Sequence, residues 1–152
     1  MEHELIGTNY SQWEPYIPSM SVVLQKILNL LNHKYPISLF LTDDPTIQSV
    51  NFQYRNKNSP TNVLSFSYLE ENDLSYVEIQ NLSGEIILSF DTLKRESHEY
   101  NIPFDHHATH MLVHGILHIL GYDHTNLAEQ QLMEKKELEI LSYLNIHTTI
   151  YK

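Results

Sequence analysis

Six of the ten histidines in this chain fall between positions 106 and 124, and no other feature limits its fold so tightly. The segment runs His106-His107-Ala108-Thr109-His110-Met111-Leu112-Val113-His114-Gly115-Ile116-Leu117-His118-Ile119-Leu120-Gly121-Tyr122-Asp123-His124. His110, His114 and His118 recur at every fourth position, so on a helix they stack along one face. Val113, Leu117 and Leu120 leave an apolar side to bury. An exposed polar face is the plain alternative, but histidine is a middling helix former and lysine or glutamate normally fill such faces. Neutral imidazole is also the commonest metal ligand, and two imidazoles one turn apart converge on one ion.

The ligand set follows from reach. At the helical rise, His110 and His118 lie ~12 Å apart along the axis. An ion with metal–nitrogen bonds of about 2.1 Å cannot take both ends of that span together with the middle. Two ligands are therefore helical neighbours and the third returns from beyond the helix. Gly121 supplies the return, because glycine just past a helix end tolerates the left-handed conformation that reverses the chain. The expected set is His114, His118 and His124, spaced H-x3-H-x5-H, with one coordination position open. With Gly121 at the turn, this spacing is similar to the metzincin protease motif. Those proteases place a glutamate directly after the first histidine as general base, whereas this chain has Gly115, so a peptidase mechanism of that kind is not supported. His110 is left as either an outer partner or a solvent-facing residue. His106 and His107 are expected at the surface. Asp123 could orient His124 through its second ring nitrogen.

Composition narrows the class. The chain has no cysteine, which excludes disulfide scaffolds, Cys-ligated zinc fingers, iron–sulfur clusters and thiol nucleophiles. Lys and Arg number 9 against 19 Asp and Glu, a net charge of −10, which argues against electrostatic coating of nucleic acid. The start, Met1-Glu2-His3-Glu4, is acidic where a signal peptide would be basic, so export by that route is not expected. The most apolar stretch, Met111 to Leu120, is short and broken by two histidines, so no membrane span is expected.

Along the chain there is no repeat and no Gly/Ser linker, so residues 1–152 read as one domain. Apolar spacing predicts a helix over Ser19–Lys34, capped by Ser19 or Ser21. Ile37–Leu41 reads as a buried strand, and Asp43 or Asp44 with Pro45 opens a helix to about Arg55. Val63–Tyr68, Tyr76–Ile79 and Glu85–Leu88 are strand candidates, with an acidic turn at Glu70–Asp73. Helices follow at about 91–100, 105–120 and 127–144. In the last, Leu127, Leu132, Leu138 and Leu141 are expected to pack, with Glu129, Glu134, Glu137 and Glu139 on a solvated acidic face. Tyr10, Trp13 and Tyr16 read as a core or interface patch. The class is α+β: one small mixed sheet with helices packed on it, and the metal site on a central helix and the turn after it.

The stretch His114-Gly-Ile-Leu-His118-Ile-Leu-Gly121-Tyr-Asp-His124 resembles the signature of the YbeY family, H-G-x-L-H-L-x-G-Y-D-H, with Ile119 in place of leucine. Upstream, Tyr54-Arg55-Asn-Lys57-Asn-Ser-Pro60-Thr61-Asn62-Val63-Leu64-Ser65-Phe66 is similar to the family's Y-R-x-K-D-x-P-T-D-V-L-S-F. Asn58 and Asn62 there replace aspartates. Gly84-Glu85-Ile86-Ile87 is similar to a third block, and Ala128 to Leu144 to the terminal helix. The resemblance covers roughly residues 45 to 144. It implies a cytoplasmic, zinc-dependent, single-strand-specific endoribonuclease acting in late ribosomal RNA maturation, at the 16S rRNA 3′ end, and in ribosome quality control. Implied partners are ribosomal RNA and ribosomal proteins or the small subunit, with no DNA and no membrane. It also points to Arg55 as a catalytic cation beside the metal ligand His114.

Arg55 supports that role independently, because its fixed fork suits bidentate phosphate binding. Lys57, Lys94 and Arg95 are further candidates for a local cationic site, against a plain reading as surface salt bridges. Three imidazoles suit zinc, nickel or copper. No residue of the motif identifies the general base: metal-bound hydroxide and the RNA 2′-hydroxyl are both open. Two rival functions remain, a ribosome-assembly RNA-binding factor with a mainly structural metal and a metallohydrolase acting on another substrate. An open coordination position speaks against the first and Gly115 against a peptidase form of the second.

Overall fold

The computed structural model describes residues 5–69, 82–148 and 150, so the acidic turn and the strand candidate Tyr76–Ile79 lie outside the described residues. The described chain runs β1 (Ile6–Thr8), a 3-10 helix (Ser11–Tyr16), α1 (Ile17–Leu30), β2 (Ile37–Thr42), α2 (Asp44–Arg55), β3 (Val63–Ser67), β4 (Gly84–Ser89), α3 (Phe90–Tyr100), α4 (Phe104–Ile119) and α5 (Leu127–Tyr143). The sheet is mixed, in the order β1-β2-β4-β3. The first three neighbours are parallel and β3 runs antiparallel on β4. The α+β expectation holds.

Register explains the core. Leu39 pairs with Ile86 and Leu41 with Leu88, which sets these side chains on one face because strand side chains alternate. They join Leu24 and Ile27 of α1, Leu112, Ile116 and Leu117 of α4 and Ile140 and Leu141 of α5 in a single apolar cluster. Trp13 is fully buried there, ringed by Tyr16, Phe90 and Phe104, and its indole N–H donates to the Thr42 carbonyl. The aromatic patch before α1 is therefore core. It also moves the helix start: α1 begins at Ile17 with Pro18 in its first turn, and neither serine caps it through its side chain. At α2 the sequence signal was accurate, since the Asp43 carboxylate accepts from the Thr46 backbone N–H.

All five of these helices are followed by a residue at positive φ. Asn32, Asn56, Asn101 and Asn145 follow α1, α2, α3 and α5 at φ between 53° and 62°. Asparagine is the residue besides glycine that most readily takes this left-handed cap. Only α4 ends on glycine, Gly121, at φ 105°, beyond the left-handed well that asparagine occupies. The turn at the histidine segment thus demands a glycine where the others do not.

Two expectations fail in the helices. His107 is 1% exposed rather than at the surface, because its Nε2 meets the Glu96 carboxylate of α3 at 2.8 Å. The inner face of α5 is Met133, Glu137, Ile140 and Leu141, while Leu127, Leu132 and Leu138 face outward at 42–69% exposure. The inner face keeps i, i+4, i+7, i+8 spacing, but one of its positions is a glutamate that finds polar partners inside.

Candidate metal centre

α4 is the central helix, packed against β3, β4, α1, α3 and α5. Twelve of its sixteen residues are buried, and His114 and His118 are half-buried exceptions on one face. After Ile119 the chain reverses in a Schellman turn: the Tyr122 N–H donates to the Leu117 carbonyl and the Gly121 N–H to that of His118. The reversal carries exposed His124 back beside the other two. Ligand nitrogens of His114, His118 and His124 all lie within 4.8 Å of one another. The ring centroids of His118 stand 4.7 Å from His114 and 4.9 Å from His124. Bonds of about 2.1 Å at tetrahedral angles would set three nitrogens about 3.4 Å apart, a small contraction from this arrangement. Three neutral nitrogen donors on one open side fit a divalent transition ion. The sequence-derived triad is brought together as expected.

Electrostatics favour the ligand form of His118. Burial holds its pKa below the usual imidazole value, and the neighbouring His114 and His124 push the same way. The ring therefore stays neutral, with a lone pair to offer, at pH values below those at which an exposed histidine is half protonated. Asp123 does not orient the His124 ring. Its carboxylate accepts instead from the His124 backbone N–H at 2.7 Å, shaping the turn.

The triad opens onto a groove of 740 Å³ between the end of α4 and β3, which is an edge strand among the described residues, and Arg55, Asn62, Ser65 and Phe66 line its other wall. Arg55 stands at the C-terminal end of α2, with its guanidinium 4.9 Å from the Phe66 ring centre. One Nη2 donates to the Ser65 carbonyl at 2.8 Å. One end of the fork is thus fixed while the rest stays exposed toward the groove. The other expected cations are elsewhere. Arg95 pairs with Asp44 at 3.0 Å and Lys94 lies over Phe104, and neither they nor Lys57 line the groove.

The two asparagine departures have structural uses. Asn58 accepts from Gln48, and Asn62 donates its amide N–H to Glu96 at 2.9 Å. An aspartate at 62 could not make that donation and would set two carboxylates side by side. Gly115 points away from the groove: a Cβ there would come within 3.2 Å of Ile86 Cδ1 on β4. The position where metzincin proteases carry their base faces the sheet in this fold.

Sequence reading missed Glu137. It is 1% exposed, and its two carboxylate oxygens are divided between two imidazoles: Oε1 lies 2.7 Å from His110 Nε2 and Oε2 2.8 Å from His114 Nδ1. His110 is accordingly an inward residue at 1% exposure, not a solvent-facing one. The available signal was the i, i+4 histidine pair, which calls for an acceptor, but nothing in a single sequence says which glutamate faces it.

Comparison with known proteins gives one answer. The family model described as endoribonuclease YbeY matches residues 8–145. A relative of that name from Ehrlichia chaffeensis is 41% identical over 148 residues, covering 93% of this chain and 92% of the relative. Another, from Neorickettsia sennetsu, is 44% identical over 135 residues, covering 88% and 91%. The solution structure of a Thermotoga maritima protein superposes with a TM-score of 0.61 at 22% identity, covering 92% of this chain and 91% of that one, and so shares the fold.

Proposed function

The chain belongs to the YbeY family, and on that footing we propose that it is a metal-dependent endoribonuclease of ribosomal RNA maturation. The observation that carries the reading is the convergence of three imidazoles on one open point within the groove that Arg55 lines. His114, His118 and His124 would hold one divalent ion, zinc for preference given an all-imidazole donor set, with nickel or copper as chemical alternatives. When bound, the ion supplies Lewis acidity toward a phosphate oxygen.

The chain's own residues supply position and charge. Arg55 offers its unengaged N–H donors to a phosphate in the groove, and the bond to Ser65 fixes the guanidinium beforehand. As negative charge grows on the phosphate, that preset cation stabilises it without reorganising. Burial and its two histidine neighbours keep His118 neutral, ready to bind a metal. Residues 1–152 act in this reading as one domain, in the cytoplasm, with the ribosomal small subunit as the setting. No described helix is long and apolar enough to cross a membrane.

The test is metal analysis of the purified chain alongside His118→Ala, paired with cleavage of a single-stranded RNA. Wild type should carry about one zinc per chain and cleave, and the variant should lose both by roughly a hundredfold or more. A wild type that binds no transition metal sinks the reading. Arg55→Ala should retain metal while cleavage falls by about a hundredfold.

A further inference from the structure

Among the described residues, Glu137 is the only Asp, Glu, Lys or Arg classed as buried. Its neighbours on the inner face of α5 are Met133, Ile140 and Leu141. Withdrawing a carboxylate from water is costly unless its oxygens are fully engaged, and a leucine would fill this face more cheaply. Both oxygens are engaged, one by each of two imidazoles a helical turn apart on α4.

We propose that Glu137 is a positioning residue for the metal centre, fixing which nitrogen of His114 faces the ion and where it points. The proposal rests on the metal reading above. A carboxylate can only accept hydrogen bonds, so His114 must place its proton on Nδ1. Its Nε2 then carries the lone pair and is the nitrogen left for a ligand bond. A carboxylate held through one oxygen could still swing. Here His110 Nε2 holds the second oxygen, so the plane of the group is set and the His114 ring with it. His110 is the brace in this arrangement: buried, outside the groove lining, and acting on the site through Glu137. Carboxylate partners of metal-bound imidazoles characteristically fix the tautomer in this way. Glu137 comes from a helix that contributes no proposed ligand, so docking of α5 on α4 completes the site.

A plain pin between α4 and α5 would predict a stability cost and nothing more. Two measurements on the full chain tell the two apart. In zinc-free wild type at about pH 8, long-range proton–nitrogen NMR should show the His114 ring protonated on Nδ1 alone; protonation on Nε2 overturns the proposal. Zinc affinity is then read by competition with a chromophoric chelator for wild type and Glu137→Gln. Glutamine keeps the shape but offers one acceptor and one donor, so it cannot accept from both rings. We expect zinc to bind the variant 10–100-fold more weakly, a loss typical of removing such partners. Glu137→Asp, one methylene shorter, should restore neither bond pair nor affinity. Zinc affinity of Glu137→Gln within about twofold of wild type, whatever its melting temperature, makes Glu137 a structural pin and overturns the proposal. Wild type that binds no zinc fails the metal reading itself, a result separable from normal wild-type binding with an indifferent variant.

Discussion

Helix α4 carries two histidine–carboxylate arrangements with the same chemistry and different consequences. On one side His107 meets Glu96 of α3, and Asn62 donates to the same Glu96 oxygen. On the other, His110 and His114 divide the oxygens of Glu137 from α5. His107 is as buried as His110, and its Nδ1 has no hydrogen-bond partner among the described residues. His114 is half-buried and lines the groove. Under the role proposed for Glu137, an imidazole–carboxylate pair serves the site only where its ring borders the groove. Where it does not, the same pair joins helices.

The largest effect should come from placing a carboxylate on α4 where no imidazole awaits it. Gly115→Glu turns the side chain onto Ile86, with a Cβ contact of 3.2 Å before the carboxyl is reached. Overpacking costs about 1–3 kcal/mol and an unpaired buried charge several more. The variant should be largely unfolded in circular dichroism and should cleave no peptide. A folded Gly115→Glu with peptidase activity would show that the position can turn toward the groove.

Next in size is the contrast between the two glutamates. Glu137→Ala removes two bonds from a fully buried carboxylate and should cost about 3–5 kcal/mol in denaturant melts. Glu96→Ala should cost about 1–2 kcal/mol, since at 24% exposure water can replace part of what is lost. Burial raises the Glu96 pKa, but bonds from His107 and Asn62 outweigh it and the net shift is downward. Its contribution is therefore present above the ordinary carboxylate range and lost as pH falls from that range through the lower value it holds in the folded chain. Zinc affinity should survive Glu96→Ala intact. Equal loss of zinc affinity in both variants would erase the distinction drawn between the two sides of the helix.

The contrast also marks how far the sequence was legible. The triad could be read because its determinants are local: two histidines a turn apart on one helix, a glycine at a φ of 105° that other residues rarely adopt, and a third histidine three positions on. Strands β2 and β4 and the start of α2 were equally local, set by apolar runs and an Asp-Pro cap. What escaped was settled between elements. Whether His107 is inside depends on α3 presenting Glu96, and whether Glu137 is inside depends on which face of α5 docks. Counting leucines favoured the wrong face of α5, because Leu127, Leu132 and Leu138 are exposed while Glu137 is buried. Hydrophobicity ranks a glutamate as outward unless its partners are known, and those partners lie 23 and 27 residues away in sequence.

A third histidine sharpens the comparison at its weak end. His33 has a hydroxyl instead of a carboxylate for a partner, its Nε2 lying 2.7 Å from Ser83 Oγ. Burial holds its imidazole pKa below the usual value. As pH falls, the unfolded chain takes up this proton before the folded one does, so folding loses stability. The contribution is complete above about pH 6.5, declines below it, and levels off once the folded ring is also protonated. His118 shifts in the same direction, so the effect must be read by difference. Zinc-free wild type and His33→Gln should be melted in urea at about pH 8 and about pH 5. Wild type should lose more stability between them than the variant, by less than about 1 kcal/mol because the ring is partly exposed and screened. An identical loss in the two proteins would mean that burial of the ring leaves no pH signature at this position.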